Sequence, residues 1–172
     1  SLYYLLALKE YTQYSRDLSL VGEINPKLQE ILDTFVKNMT NGLIYSFSGA
    51  CHWNFYDWAK YCEGTLYSSQ KASADVIINL LGIIALNSYK EICQLCSLDF
   101  SYDEILSTLK TRVREEFLKA ETGLFRMNRD TEAYTVLANS LAVISGVCTK
   151  AEAEKICEAI VDGKLSPCSL SM

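Results

Sequence analysis

Apolar residues recur along this chain at helical spacing, in two styles that alternate. Residues 2–15 carry Leu2, Leu5, Leu6 and Leu8 with Tyr3, Tyr4, Tyr11 and Tyr14, a pattern that predicts a helix apolar nearly all round and hence buried. After a connector over 16–25, Asn25 as cap and Pro26 at the first helical position predict a second helix to about residue 40. Its apolar face is Leu28, Ile31, Leu32, Phe35, Val36 and Met39, and its opposite face is charged or polar. Asn41-Gly42 ends it, and 43–47 reads as a short extended piece. The longest apolar pattern covers 69–96, with a break or bend expected at Gly82. Ser101-x-x-Glu104 predicts a capping box for a helix over 102–118, and Gly123-Leu124-Phe125 stops it. A further buried helix is expected over 131–145, and Thr149-x-x-Glu152 opens a last one that ends at Gly163.

The order is therefore buried, amphipathic, three times over, which predicts an all-α fold of helical hairpins with an inner and an outer layer. An internal echo supports the repetition. Phe35-Val-Lys37 leading to Gly42-Leu-Ile and Phe117-Leu-Lys119 leading to Gly123-Leu-Phe each close an amphipathic helix and precede a buried one. If inner and outer helices alternate in direction, every outer-to-inner connection falls on one rim. Two such connections are 41–68 and 119–131, the second carrying Arg126, Arg129 and Asp130. Long loops on one edge of a rigid scaffold are where sites are usually built.

Composition narrows the partners. The chain has 172 residues, 49% apolar, with a net charge of −5, enough for one domain with a real core. No Lys/Arg cluster is present to displace counterions, which argues against nucleic acid and anionic membranes as partners. The most apolar run, 76–86, is interrupted by Asn79 and reads as a core helix rather than a membrane span. The seven cysteines sit mostly at apolar helical positions and behave as small hydrophobes. Cys93-x-x-Cys96 has the spacing of half a redox or zinc site, but it lacks a second pair, and the single histidine, His52, is distant. No metal site and no cofactor is expected. Asn38-Met-Thr40 matches a glycosylation acceptor, a pattern too common to weigh. The chain begins at Ser1 inside a helical pattern, so it is expected to be a single partial domain cut from a longer protein, whose compartment is left open.

The densest chemistry lies in the first of those connections. His52-Trp53-Asn54-Phe55-Tyr56-Asp57-Trp58 holds four aromatics, an amide and a carboxylate within seven residues. Trp faces suit the C–H side of a sugar ring, and Asn and Asp suit neighbouring hydroxyls. The plainer reading is an aromatic plug that closes the helical core.

The run Trp53-Asn-Phe-Tyr-Asp-Trp58, the Gly-Leu-Ile and Gly-Leu-Phe helix exits, and Leu137-Ala-Asn139-Ser-Leu-Ala-Val143 before Gly146 resemble the catalytic domain of family-78 glycoside hydrolases, the α-L-rhamnosidases. The resemblance implies about half of an (α/α)6 toroid, a ring of six helical hairpins. It also implies that Trp53 and Trp58 stack on or wall in a sugar, that Asn54 and Asp57 bind its hydroxyls, and that Glu63 belongs to the same rim. The Gln and His usual ahead of the Ala-Asn run are replaced by Val136 and Leu137. Inverting hydrolysis needs two carboxyl groups roughly 6.5–9.5 Å apart. The resemblance implies that both lie outside this chain, so the parent would hydrolyse α-L-rhamnosyl residues while the chain alone would not. Within the chain, Asp57 with Asp130 or Glu132 is the pair to consider. Half a ring would leave apolar surface bare and is expected to self-associate. The alternative is a non-catalytic helical-repeat module that binds a glycan or a protein.

Overall fold

Helices and tight hairpins follow one another in the computed structural model, which describes residues 2–45, 55–63 and 74–169. In chain order these are α1 (Leu2–Ser15), α2 (Ser19–Lys37), β1 (Met39–Thr40), β2 (Leu43–Ile44), α3 (Val76–Cys96), α4 (Asp103–Phe117), β3 (Leu118–Lys119), β4 (Leu124–Phe125), α5 (Val136–Ile144) and α6 (Lys150–Val161). The fold is all-α, with α1 and α5 packed on either side of α3 as an inner layer. The amphipathic helices form the outer layer: α2 and α4 lie against α3, and α6 lies against α5. Buried side chains of α3, among them Ile77, Leu80, Ile83 and Tyr89, fill the centre. By length and composition α3 matches a membrane span, and 78% of its apolar window is buried within the protein, so it is the core helix. It ends at Cys96 as the sequence pattern predicts and begins at Val76, later than the expected residue 69, and Asn79 lies within it without interrupting it.

Asn79 instead fastens the fold. Wholly buried, it accepts the Ile44 N–H on Oδ1 at 2.7 Å and donates from Nδ2 to the Ile44 and Asp75 carbonyls at 2.9 and 2.8 Å. Asn139 repeats this in α5. It accepts the Phe125 N–H at 2.9 Å and donates to the Phe125 and Thr135 carbonyls at 3.0 Å each. The echo in the sequence is thus a structural unit: an outer helix, a two-stranded hairpin, and an inner helix whose fourth residue grips the hairpin's last strand. Each β-hairpin turns on a left-handed glycine, Gly42 at φ 76° and Gly123 at φ 72°, where a side chain would be strained.

Several boundaries differ from the sequence expectation, each for a local reason. Helix α2 begins at Ser19, where Asp17 Oδ1 accepts the Ser19 N–H at 2.9 Å. Asn25 is no cap, since its Oδ1 receives the buried Tyr89 hydroxyl at 2.9 Å. Pro26 sits inside the helix, and the residue four back, whose carbonyl its ring would crowd, is Gly22. Helix α3 passes Gly82 unbroken; the glycine is needed because a Cβ there would lie 2.0 Å from Cζ of Phe35 in α2. Helix α4 has Tyr102 as N-cap without a side-chain bond, so the Ser101 box does not form. Tyr102 is held instead against Tyr89 and Phe100 and donates to Asp33 at 2.6 Å. Helix α5 starts at Val136, because 127–133 is engaged in main-chain pairing, and Thr135 caps it through the Ala138 N–H at 3.2 Å. The Thr149–Glu152 box of α6 forms as read. Helix α1 is buried along Leu2, Leu5, Leu8 and Thr12 only, and Tyr3, Tyr4, Tyr11 and Tyr14 are exposed.

Candidate functional site

The hairpins of the repeat place the outer-to-inner connections side by side on one rim. Main-chain bonds tie them together. Val76 N–H at the start of α3 donates to the Met127 carbonyl at 2.8 Å, and Met127 N–H donates to Ala133 at 2.9 Å. Val136 N–H at the start of α5 donates to Ser166 at 2.9 Å, and Ser166 N–H returns to Tyr134 at 2.9 Å. A third connection, 164–169, thereby joins the rim after α6. Sequence reasoning passed over it, although the same parity that selects the first two connections selects it too.

Between these segments opens a cleft of about 390 Å³, lined by Tyr61, Thr131, Glu132, Tyr134, Lys164 and Ser166 among others. Its size falls at the small end of the roughly 300–1,000 Å³ typical of ligand pockets. Two tyrosine rings, a carboxylate and an ammonium around one hollow suit a polyhydroxylated ligand. Glu132 accepts the Tyr134 hydroxyl at 2.8 Å and pairs with Lys119 at 3.0 Å, and these two partners hold its carboxyl below the ordinary range. Tyr61 has a left-handed backbone, φ 71°, and lies under the Lys60 ammonium at 4.8 Å from the ring centroid.

The aromatic connection is described from Phe55 to Glu63, so Trp53 and Asn54 lie outside the described residues. Trp58 is 69% exposed and leans on Phe55, ring centroids 4.6 Å apart at 58°. An aromatic plug would be covered, and Trp58 is not. Asp57 is 2% exposed. Its carboxylate receives Trp58 N–H at 2.8 Å, Ser169 N–H at 2.7 Å and the Ser169 hydroxyl. Burial pushes this carboxyl up, and the bonds from Ser169 and from the Trp58 amide outweigh it and hold it low. Glu63 is half-buried beside the buried Cys62, whose thiol burial pushes up to about 11.

Of the charges expected on the second connection, two are braces. Arg129 forks onto Glu116 at 2.6 and 2.7 Å, and Arg126 donates to the Glu116 carbonyl at 2.9 Å. Neither Asp57 nor Glu132 is a proton-holding acid at neutral pH, since both carboxyls lie below their ordinary values. Among the described residues no group of three metal-ligating side chains comes together.

No family model matches the sequence, and no curated protein matches it either. Solved structures do match. A family-78 rhamnosidase of Bacillus sp. GL1 aligns with a TM-score of 0.80 at 15% identity, covering 97% of this chain and 18% of that one. A rhamnosidase from Klebsiella oxytoca, solved with rhamnose bound, aligns with a TM-score of 0.74 at 14% identity, covering 97% of this chain and 31% of that one. At these identities the likeness is one of fold: this chain has the helical fold of part of a family-78 rhamnosidase, as its sequence resemblance implied. It spans 18% and 31% of the length of those two proteins.

Proposed function

We propose that this chain is the sugar-binding part of a glycoside hydrolase resembling α-L-rhamnosidases, and that its rim receives a terminal α-L-rhamnosyl residue. The observation that carries this reading is the convergence of three connections around one cleft, with Trp58 standing exposed on the first of them. The rhamnose-bound Klebsiella protein of the same fold adds the class of sugar. In this reading Trp58, with Trp53 and Asn54, meets the sugar, while Tyr61 and Tyr134 wall the cleft. The acid and base of an inverting reaction come from the rest of a longer protein whose hairpins complete an (α/α)6 toroid, and this chain alone does not hydrolyse.

The test is a titration of the chain with L-rhamnose, D-glucose and D-galactose, followed by indole fluorescence. A saturable change with rhamnose alone is expected. No response to any sugar at its solubility limit overturns the proposal. A longer form of the protein should release the chromophore from an aryl α-L-rhamnoside and from no other aryl glycoside. A folded, sugar-binding longer form without hydrolysis would favour the second reading, a non-catalytic helical-repeat module, to which the duplicated hairpin-and-asparagine unit lends weight.

A further inference from the structure

We propose that Ser169 is a positioning residue for the rim: acting through the Asp57 carboxylate, it fixes the turn that presents Trp58. This rests on the reading of Trp58 as a sugar-facing residue. Asp57 and Ser169 stand 112 positions apart in sequence, on the first and third connections, and are joined by the Ser169 N–H at 2.7 Å and by the Ser169 hydroxyl. The same carboxylate takes the Trp58 N–H at 2.8 Å. An ionised carboxylate offers about four lone-pair sites. Three donors from the protein take three of them, and the carboxyl is 2% exposed, which turns it away from a sugar hydroxyl. Asp57 therefore serves the rim as a buckle, in place of the hydroxyl-binding role that its family resemblance implied.

The rest of the turn has the stiffness this role needs. Tyr56 and Asp57 N–H both donate to the Cys62 carbonyl at 3.2 and 3.1 Å, and Cys62 N–H donates to Ala59 at 2.9 Å. Residues 56–62 thus form a small closed loop, anchored at one end by buried Cys62 and at the other by buried Asp57. The Trp58 side chain is largely in solvent and leans on Phe55, so its pose follows its backbone. Release of the buckle frees the backbone at Asp57 and Trp58 while leaving the helical core untouched.

The experiment uses the full chain with Trp53→Phe, so that Trp58 is the single indole of the two in the sequence. Ser169→Ala removes the hydroxyl donor, and Ser169→Thr keeps it. Time-resolved fluorescence anisotropy in this background reads Trp58 mobility, and calorimetric titration with L-rhamnose of the corresponding chains that keep Trp53 reads affinity. Ser169→Ala is expected to raise the fast-depolarising amplitude and to weaken rhamnose binding roughly tenfold, the scale of one hydrogen bond to a charged group. Ser169→Thr should restore both. Unchanged Trp58 mobility in Ser169→Ala overturns the proposal, whatever the melting temperature does. If Ser169→Ala frees Trp58 although the wild type binds no sugar, the positioning role stands and the sugar-binding reading alone fails.

Discussion

Asn79 and Asn139 occupy the same place in two successive repeats, each gripping both backbone groups of the strand residue that precedes its helix, Ile44 in one case and Phe125 in the other. Replacing either by the isosteric Leu strands a buried N–H and a buried C=O. Each of Asn79→Leu and Asn139→Leu should cost roughly 2–4 kcal/mol, one to three for each orphaned group, less what the apolar side chain recovers. Urea unfolding of the two variants checks this, and a large loss from one with none from the other would break the equivalence.

A second consequence concerns the contact between α2 and α3. Gly82→Ala would place a methyl 2.0 Å from the Phe35 ring, so the ring must leave its site. The expected loss is about 1–3 kcal/mol, typical of overpacking. Phe35→Leu in the same chain should return part of it, and a double-mutant cycle would read the coupling. Additive effects would refute the contact.

The bond between α4 and α6 makes stability sensitive to acid. Arg114 holds Glu152 bidentately at 2.8 Å for both oxygens, and this, with the Thr149 cap, brings the Glu152 carboxyl down to about 2. A carboxyl lowered in the folded state stabilises above its unfolded value and loses that contribution as pH falls through its folded value. The Glu152 contribution should therefore be complete above about pH 5 and fade between roughly 4.5 and 2. Glu152→Gln should lower stability by about 1.5–3 kcal/mol at pH 7 and leave little difference from the wild type near pH 2. Parallel unfolding curves across that range are the check.

At the rim, Trp58→Ala should abolish the rhamnose response while shifting the melting temperature little, because the ring is 69% exposed and packs mainly on Phe55. A large drop in melting temperature would return Trp58 to the role of a plug.

The exposed Tyr3, Tyr4, Tyr11 and Tyr14 on α1 bear on association. Reading the chain as part of a ring predicts that it self-associates in sedimentation velocity as concentration rises. A single monomeric boundary at high concentration would count against the partial ring.

Much of this architecture was legible in the residues. The alternation of buried and amphipathic patterns orders the helices correctly because burial, the strongest term in folding, writes directly into periodicity. The Thr149 box is likewise local and forms as read. What escaped is set by partners distant in sequence. Asn25 looks like a cap until Tyr89 is brought to it, and Ser101 looks like one until Tyr102 is buried against Tyr89 and Phe100. The α1 tyrosines match a buried helix in composition, yet only one face meets α3. On the rim, the aromatic run drew attention to its own connection, but nothing local to Asp57 told that its carboxylate would turn inward to Ser169.

The main-chain bonds at the starts of α3 and α5 have a kinetic side. Val76 finds its acceptor on Met127, and Val136 finds its own on Ser166, so α3 and α5 are each completed by a stretch of chain synthesised after them. A nascent polypeptide emerging from the ribosome would hold these helix starts open until the following unit arrives. Once formed, these bonds tie each later connection back to an earlier helix start, and the units they join should melt together rather than peel away one at a time.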